Sequence, residues 1–223
     1  MFIGHYGASF IAATLPKAPR LGTLFIAAQL IDFGFFALEL AGVEHMRLVP
    51  GITAMNPMDL YDMPWTHSLV GALDWSAGFA LLLWLSLRNG MAALIGGAVV
   101  LSHWLIDLLV HRPDLTIAGS PPSFGFGLWN HPEIEIPLEL VLAFGGLAWF
   151  ASRTRARGWQ GHVSILVLGL AMAVFQLVNW LAAPPATIVD PAPPSLPLMG
   201  LLAYAVLAAI AWWVAIARPR RLS

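Results

Sequence analysis

The chain contains no cysteine among its 223 residues. That excludes disulfides, thiolate metal sites and thiol catalysis. Charge is scarce too. Asp, Glu, Lys and Arg make up 10% of the sequence against 59% hydrophobic residues, where an ordinary soluble domain carries about 25% charged residues. Too little polar surface remains to cover even one soluble domain. The net charge of −1 provides no basic face for nucleic acid. The opening residues MFIGHYGASF lack a basic stretch ahead of an apolar core, so they do not read as a cleaved signal peptide. No internal repeat, HExxH motif or Gly-rich phosphate loop is present.

What the sequence has instead is long apolar runs. A membrane-crossing helix needs about 20 mostly apolar residues. Six runs meet this, at roughly 21–42, 66–87, 91–111, 134–151, 161–182 and 197–217. A shorter apolar stretch at roughly 3–15 reads as a half-inserted or re-entrant helix. The expected fold is an all-α polytopic bundle, with residues 1–223 forming one integral membrane domain. The ten Trp suit the aromatic belts at the two membrane interfaces.

The basic residues orient the bundle. Lys17, Arg20, Arg88, Arg153, Arg155, Arg157, Arg218, Arg220 and Arg221 fall on one side, and only Arg47 and Arg112 on the other. By the positive-inside rule the first side, with the C-terminus, is cytoplasmic. The connections at roughly 43–65 and 112–133, and the stretch APPATIVDPAPPSLP, then face outward.

Against this background the ionisable residues inside the spans carry the information, because each costs about 2.5–3.5 kcal/mol at bilayer depth. The run SHWLIDLLVH places His103, Asp107 and His111 at steps of four. PWTHSLVGALD gives His67 and Asp74 seven apart, and Asp32 and Glu39 have the same spacing. Such spacings put side chains on one helix face. Glu139 continues the polar series in the 134–151 run, and His5 marks the short N-terminal stretch. Asp32 and His103 each lie about twelve residues from the cytoplasmic end, roughly 18 Å at 1.5 Å per residue. The polar stripes therefore occupy the middle and outer levels of the bundle.

Histidine and carboxylate together form an N/O ligand set suited to zinc first, and also to iron, manganese or nickel. A bound divalent ion lowers the pKa of a water towards 7, and a neighbouring carboxylate takes its proton. Asp74 and Glu139 are the candidates for that general base. The plainer alternative for His103 and Asp107 is a buried hydrogen-bonded pair. For His67 it is interface polarity beside a capping Thr66, and for Asp32 a structural partner to a neighbouring helix. Glu39, His45, His111, His162, Asp59, Asp62 and Asp114 read as interfacial or solvated, His131 and Glu133 as helping to start a helix, and Gln176 and Asn179 as interhelical hydrogen-bonding groups.

The GH of MFIGHYG, the Asp of LIDF, the THSL of PWTHSL and the H-x3-D of SHWLID follow one another in an order that resembles the membrane-bound metal-dependent hydrolases. These are bacterial inner-membrane proteins, some of them LexA-regulated. The resemblance covers roughly residues 1–130 and implies His5, Asp32, His67, His103 and Asp107 as metal-site positions. The chain has Met63, Pro64 and Trp65 where the family commonly has His-Arg, and Asp32 alone where it has two aspartates.

Four functions are compatible with these residues. A membrane-embedded metal-dependent hydrolase would act on a lipid-like or amphiphilic ester or phosphoester from the outer half of the bilayer. A metal-ion or proton transporter could use the same residues, but it needs polar groups through the inner half as well. A haem-binding protein would use facing histidines and show an absorption spectrum. A structural protein would hold the same groups as buried polar glue and bind no stoichiometric metal.

Overall fold

In a computed structural model of the protein, residues 1–219 are described. Arg220 and Arg221, part of the basic tail, lie outside them. A short 3-10 turn (Ile3–His5) leads into α1 (Tyr6–Ala12), α2 (Leu21–Ala28) and α3 (Leu30–Leu40). After the first long connection come α4 (Leu69–Leu87) and α5 (Gly90–Val110), then α6 (Pro132–Leu140), α7 (Gly146–Arg153), α8 (Gly158–Leu181) and α9 (Ser195–Ala217). α6 and α7 are one apolar span, Pro132–Arg153, interrupted by a π-helical turn at Val141–Gly145. With α4, α5, α8 and α9 it makes five helices long and apolar enough to cross a membrane. The pair α2–α3, bent by 52°, makes six if it is one span. The all-α bundle expected from the sequence is therefore present.

α5 is the axis of the bundle. Over half of its apolar window is enclosed (56%), against 22–33% for the other four spans. The outer faces are apolar: Leu166, Leu170, Val174, Leu177 and Leu181 on α8 are all more than half exposed. Soluble proteins rarely expose contiguous apolar patches of this kind, whereas acyl chains cover them without penalty.

The N-terminal segment is short, as expected, but it is packed inside rather than lying at an edge. Ile3, Tyr6 and Phe10 are fully buried. Gly7 makes this possible, since a Cβ there would come within 2.7 Å of the Leu142 carbonyl in the π-helical turn. The two long connections, at roughly 43–65 and 112–133, contain two small antiparallel hairpins: β1 (His45–Leu48) with β2 (Met58–Asp62), and β3 (Leu115–Thr116) with β4 (Ser123–Phe124). The second folds back on the end of α5. There the Phe126 and Gly127 amides donate to the Leu108 and His111 carbonyls (2.8 and 2.7 Å), satisfying acceptors that a helix terminus otherwise leaves unpaired. A Cβ at Gly125 would collide with the His111 and Arg112 carbonyls, at 2.4 and 2.3 Å.

Candidate metal centre

Four chain segments deliver side chains to one point beside α5. His103, Asp107 and His111 occupy successive turns of α5, Asp32 comes from α3, His67 from the residues just before α4, and His5 from the N-terminal turn. All four histidines and Asp107 are 1–3% exposed. The five residues that the family resemblance implied as metal-site positions are therefore brought together. They form two overlapping triads, His5–His103–Asp107 and Asp32–His67–His103, each able to hold a metal ion.

Local structure fixes how each ring points. His103 Nδ1 lies 2.7 Å from the Ala28 carbonyl, at the break between α2 and α3. A carbonyl only accepts, so Nδ1 carries a proton and Nε2 is the nitrogen turned to the site. His67 Nδ1 lies 2.9 Å from Thr66 Oγ1, whose hydroxyl donates to Glu44 Oε2 at 2.7 Å. The hydroxyl has one proton and has given it away, so His67 Nδ1–H is the donor and Nε2 again turns to the site. Glu44 is fully buried, and its Oε1 also accepts from the Trp65 and Thr66 amides (2.8 and 3.0 Å). His111 Nδ1 donates to Asp114 Oδ1 at 2.9 Å, while the Trp129 ring packs against the imidazole with centroids 4.2 Å apart.

These Nε2 atoms face carboxylate oxygens. His103 Nε2 is 3.0 Å from Asp107 Oδ2 and 3.4 Å from Asp32 Oδ1. His67 Nε2 is 3.4 Å from Asp32 Oδ1 and 3.8 Å from Asp107 Oδ2. His5 Nε2 and His111 Nε2 are 3.2 and 3.8 Å from Asp107 Oδ1, and the Met1 amino group is 3.2 Å from the same oxygen. Among the described residues His103 Nε2 and both ring nitrogens of His5 are buried without a hydrogen bond, a costly arrangement for polar atoms. The ligand–ligand spacing across a tetrahedral ion with bonds of ~2.05 Å is about 3.3 Å, and the observed separations bracket it. The donor set and its spacing thus fit a divalent ion. The Thr66–Glu44, Ala28 and Asp114 contacts are the outer supports that metal-ligating histidines characteristically have.

The two carboxylates expected to act as general base are placed otherwise. Asp74 is on the exposed face of α4, in a groove beside Trp75 and Phe79, and joins neither triad. The seven-residue spacing from His67 does not put it on a shared face, because α4 begins only at Leu69, capped by Ser68. Thr66 is correspondingly not the cap; it serves the Glu44 relay instead. Glu139 is buried, but both oxygens are taken: Oε1 by the Phe2 and Gly4 amides (2.6 and 3.1 Å), Oε2 by the Gln176 side chain at 2.8 Å. It anchors the turn that carries His5, together with Gln29, whose amide donates to the Phe2 carbonyl at 3.0 Å. Gln176 is the interhelical hydrogen-bonding group expected of it.

Three residues read from the sequence as interfacial or solvated prove to be interior. His111 extends the α5 series by one turn into the cluster, and the step of four in SHWLIDLLVH was the signal for it. Asp114 and Asp59 are buried around two arginines. Arg112 donates to Asp59 and forms an ion pair with Asp114, and Arg47 donates to Asp59 Oδ2 at 2.7 Å. No sequence spacing pointed to Glu44. No family model, curated protein or solved structure matches the chain.

Proposed function

We propose that the protein is a membrane-embedded metal-dependent hydrolase of a bacterial inner membrane. Its centre would lie in the outer half of the bilayer and act on a lipid-like or amphiphilic ester or phosphoester. The observation that carries this reading is the convergence of Nε2 atoms of imidazoles held at Nδ1 by outer hydrogen bonds on Asp32 and Asp107. The motif resemblance supports the same direction, and zinc is the ion best suited to the donor set. A divalent ion held there would supply Lewis acidity and lower the pKa of a water towards 7.

The chain's own residues would do the rest. Asp32 is the least enclosed member of the cluster, its side chain 16% exposed. Tyr204 donates to its Oδ2 at 2.9 Å, which leaves Oδ1 as the oxygen that would ligate beside His67 and His103. Asp74 keeps a different use. It is the polar group of a groove of about 410 Å³ between α3 and α4, otherwise lined by Leu30, Trp75, Gly78, Phe79 and Leu82. Such a groove suits an acyl chain entering sideways with its polar head towards Asp32. Arg47 and Arg112, both tied to Asp59, are not free to serve a phosphate.

The test is hydrolysis of a fluorogenic phospholipid in proteoliposomes. Activity should require added Zn²⁺, vanish with chelator and be absent in His103→Ala. Ion flux without hydrolysis would replace this reading with transport. Haem is disfavoured by the His5 and His103 rings, stacked with centroids 3.8 Å apart, which leaves no space for a macrocycle between them.

A further inference from the structure

How many ions the cluster takes is decided by the directions of its side chains. His5 and His103 lie face to face, with planes within 7° of parallel and centroids 3.8 Å apart. An imidazole ligates along a lone pair in its own plane. The ligand atoms of His5, His103 and Asp107 lie close enough for one ion, but two parallel rings cannot both aim at it, and their Nε2 atoms face separate oxygens of Asp107. Metal ions in two-metal sites are separated by about 3.5–4 Å. Asp107 divides in the same way. Its Oδ2 faces His103 and His67 at 3.0 and 3.8 Å, and its Oδ1 faces His5 and His111 at 3.2 and 3.8 Å.

We propose that the cluster is a dinuclear centre bridged by Asp107, in which His111 and His5 hold a second divalent ion beside the one held by Asp32, His67 and His103. The proposal rests on the metal-dependent reading above and goes beyond it in the number of ions and in the role given to His111.

His111 is built for this. It is 2% exposed. Its Nδ1 proton is held by the Asp114 carboxylate, the carboxylate–histidine arrangement that fixes the tautomer and raises the basicity of a ligating imidazole. Asp114 is itself fixed, its second oxygen 3.2 Å from Arg112 Nε, and Arg112 is tied to Asp59 in β2. Trp129 closes the remaining side of the ring. A histidine that merely sat at the interface would need none of these supports.

The test uses the full chain in detergent, stripped with chelator, re-dialysed against Zn²⁺ and analysed for zinc per chain. Two ions are expected in the wild type, one in His111→Ala and one in His67→Ala. Loaded with Mn²⁺, the wild type should show the exchange-coupled electron-paramagnetic-resonance signal of an ion pair, and His111→Ala the six-line signal of an isolated ion. Asp114→Asn keeps the ligand and an acceptor, so it serves where His111→Ala does not fold. It should weaken the second ion about 10–100-fold and leave the first unchanged. One ion in the wild type overturns the dinuclear centre while leaving a mononuclear hydrolase standing. No ion overturns both readings. Two ions in His111→Ala overturn the ligand assignment, as does an Asp114→Asn protein that binds its second ion at wild-type strength.

Discussion

The relay behind His67 makes a sharp prediction for Glu44→Gln. Glu44 is buried and accepts three hydrogen bonds, from the Trp65 and Thr66 amides and from the Thr66 hydroxyl. A glutamine of the same shape can still accept the two amides through its carbonyl oxygen. Its NH2 group, however, lands where Oε2 was, against Thr66 Oγ1, and it must donate there. The Thr66 hydroxyl proton is then turned towards His67, 2.9 Å away, and Nδ1 becomes an acceptor. The ring proton moves to Nε2, which lies 3.4 Å from Asp32 Oδ1 and would otherwise ligate. Loss of such an outer partner costs about 10–100-fold in metal affinity, or about 1.4–2.8 kcal/mol at 1.4 kcal/mol per tenfold. Competition titration of Zn²⁺ between the detergent-solubilised protein and a chromophoric chelator measures it directly. Thr66→Ser, which preserves the relay, should bind as the wild type does. A Glu44→Gln protein with undiminished affinity would refute the proton assignment.

Glu139→Ala leaves the Phe2 and Gly4 amides and the Gln176 side chain without their shared acceptor. At about 1–3 kcal/mol for each unsatisfied buried donor, less whatever water recovers, a loss of about 2–5 kcal/mol is expected. It should appear as a marked drop in thermal midpoint in detergent, and Glu139→Gln should fall by less. Metal binding should weaken with acid. The ligating histidines must be neutral to offer a lone pair, so protons compete with the ion as the pH falls. A chelator titration at stepwise lower pH should show affinity lost on the acid side; a flat profile would exclude histidine ligation.

Most of the fold was legible because a bilayer imposes length and composition on every crossing element. The cluster residues on α5 were legible for a related reason: charged groups in an apolar helix are costly enough to be informative, and steps of four fix their shared face. The misreadings arose where tertiary contacts outrank spacing. His67 and Asp74 are seven apart, but the capped start of α4 falls between them. Glu139 lies in a span as a catalytic acid might, and the amides that occupy it come from residues over a hundred positions away. Glu44, Asp59 and Asp114 belong to loops whose burial is decided by two small hairpins and by the return of residues 126–127 onto α5. His111 followed the α5 periodicity, yet beside Arg112 and a helix end it read as interfacial.

X-ray absorption at the zinc edge of the purified, Zn²⁺-loaded protein tests the central claim most directly, with His103→Ala alongside. The account predicts a first shell of nitrogen and oxygen only, at about 2.0–2.2 Å, with the outer-shell scattering of more than one imidazole, reduced in the variant. Zinc that fails to bind, or that shows an oxygen shell without imidazole and is unchanged by His103→Ala, would contradict it.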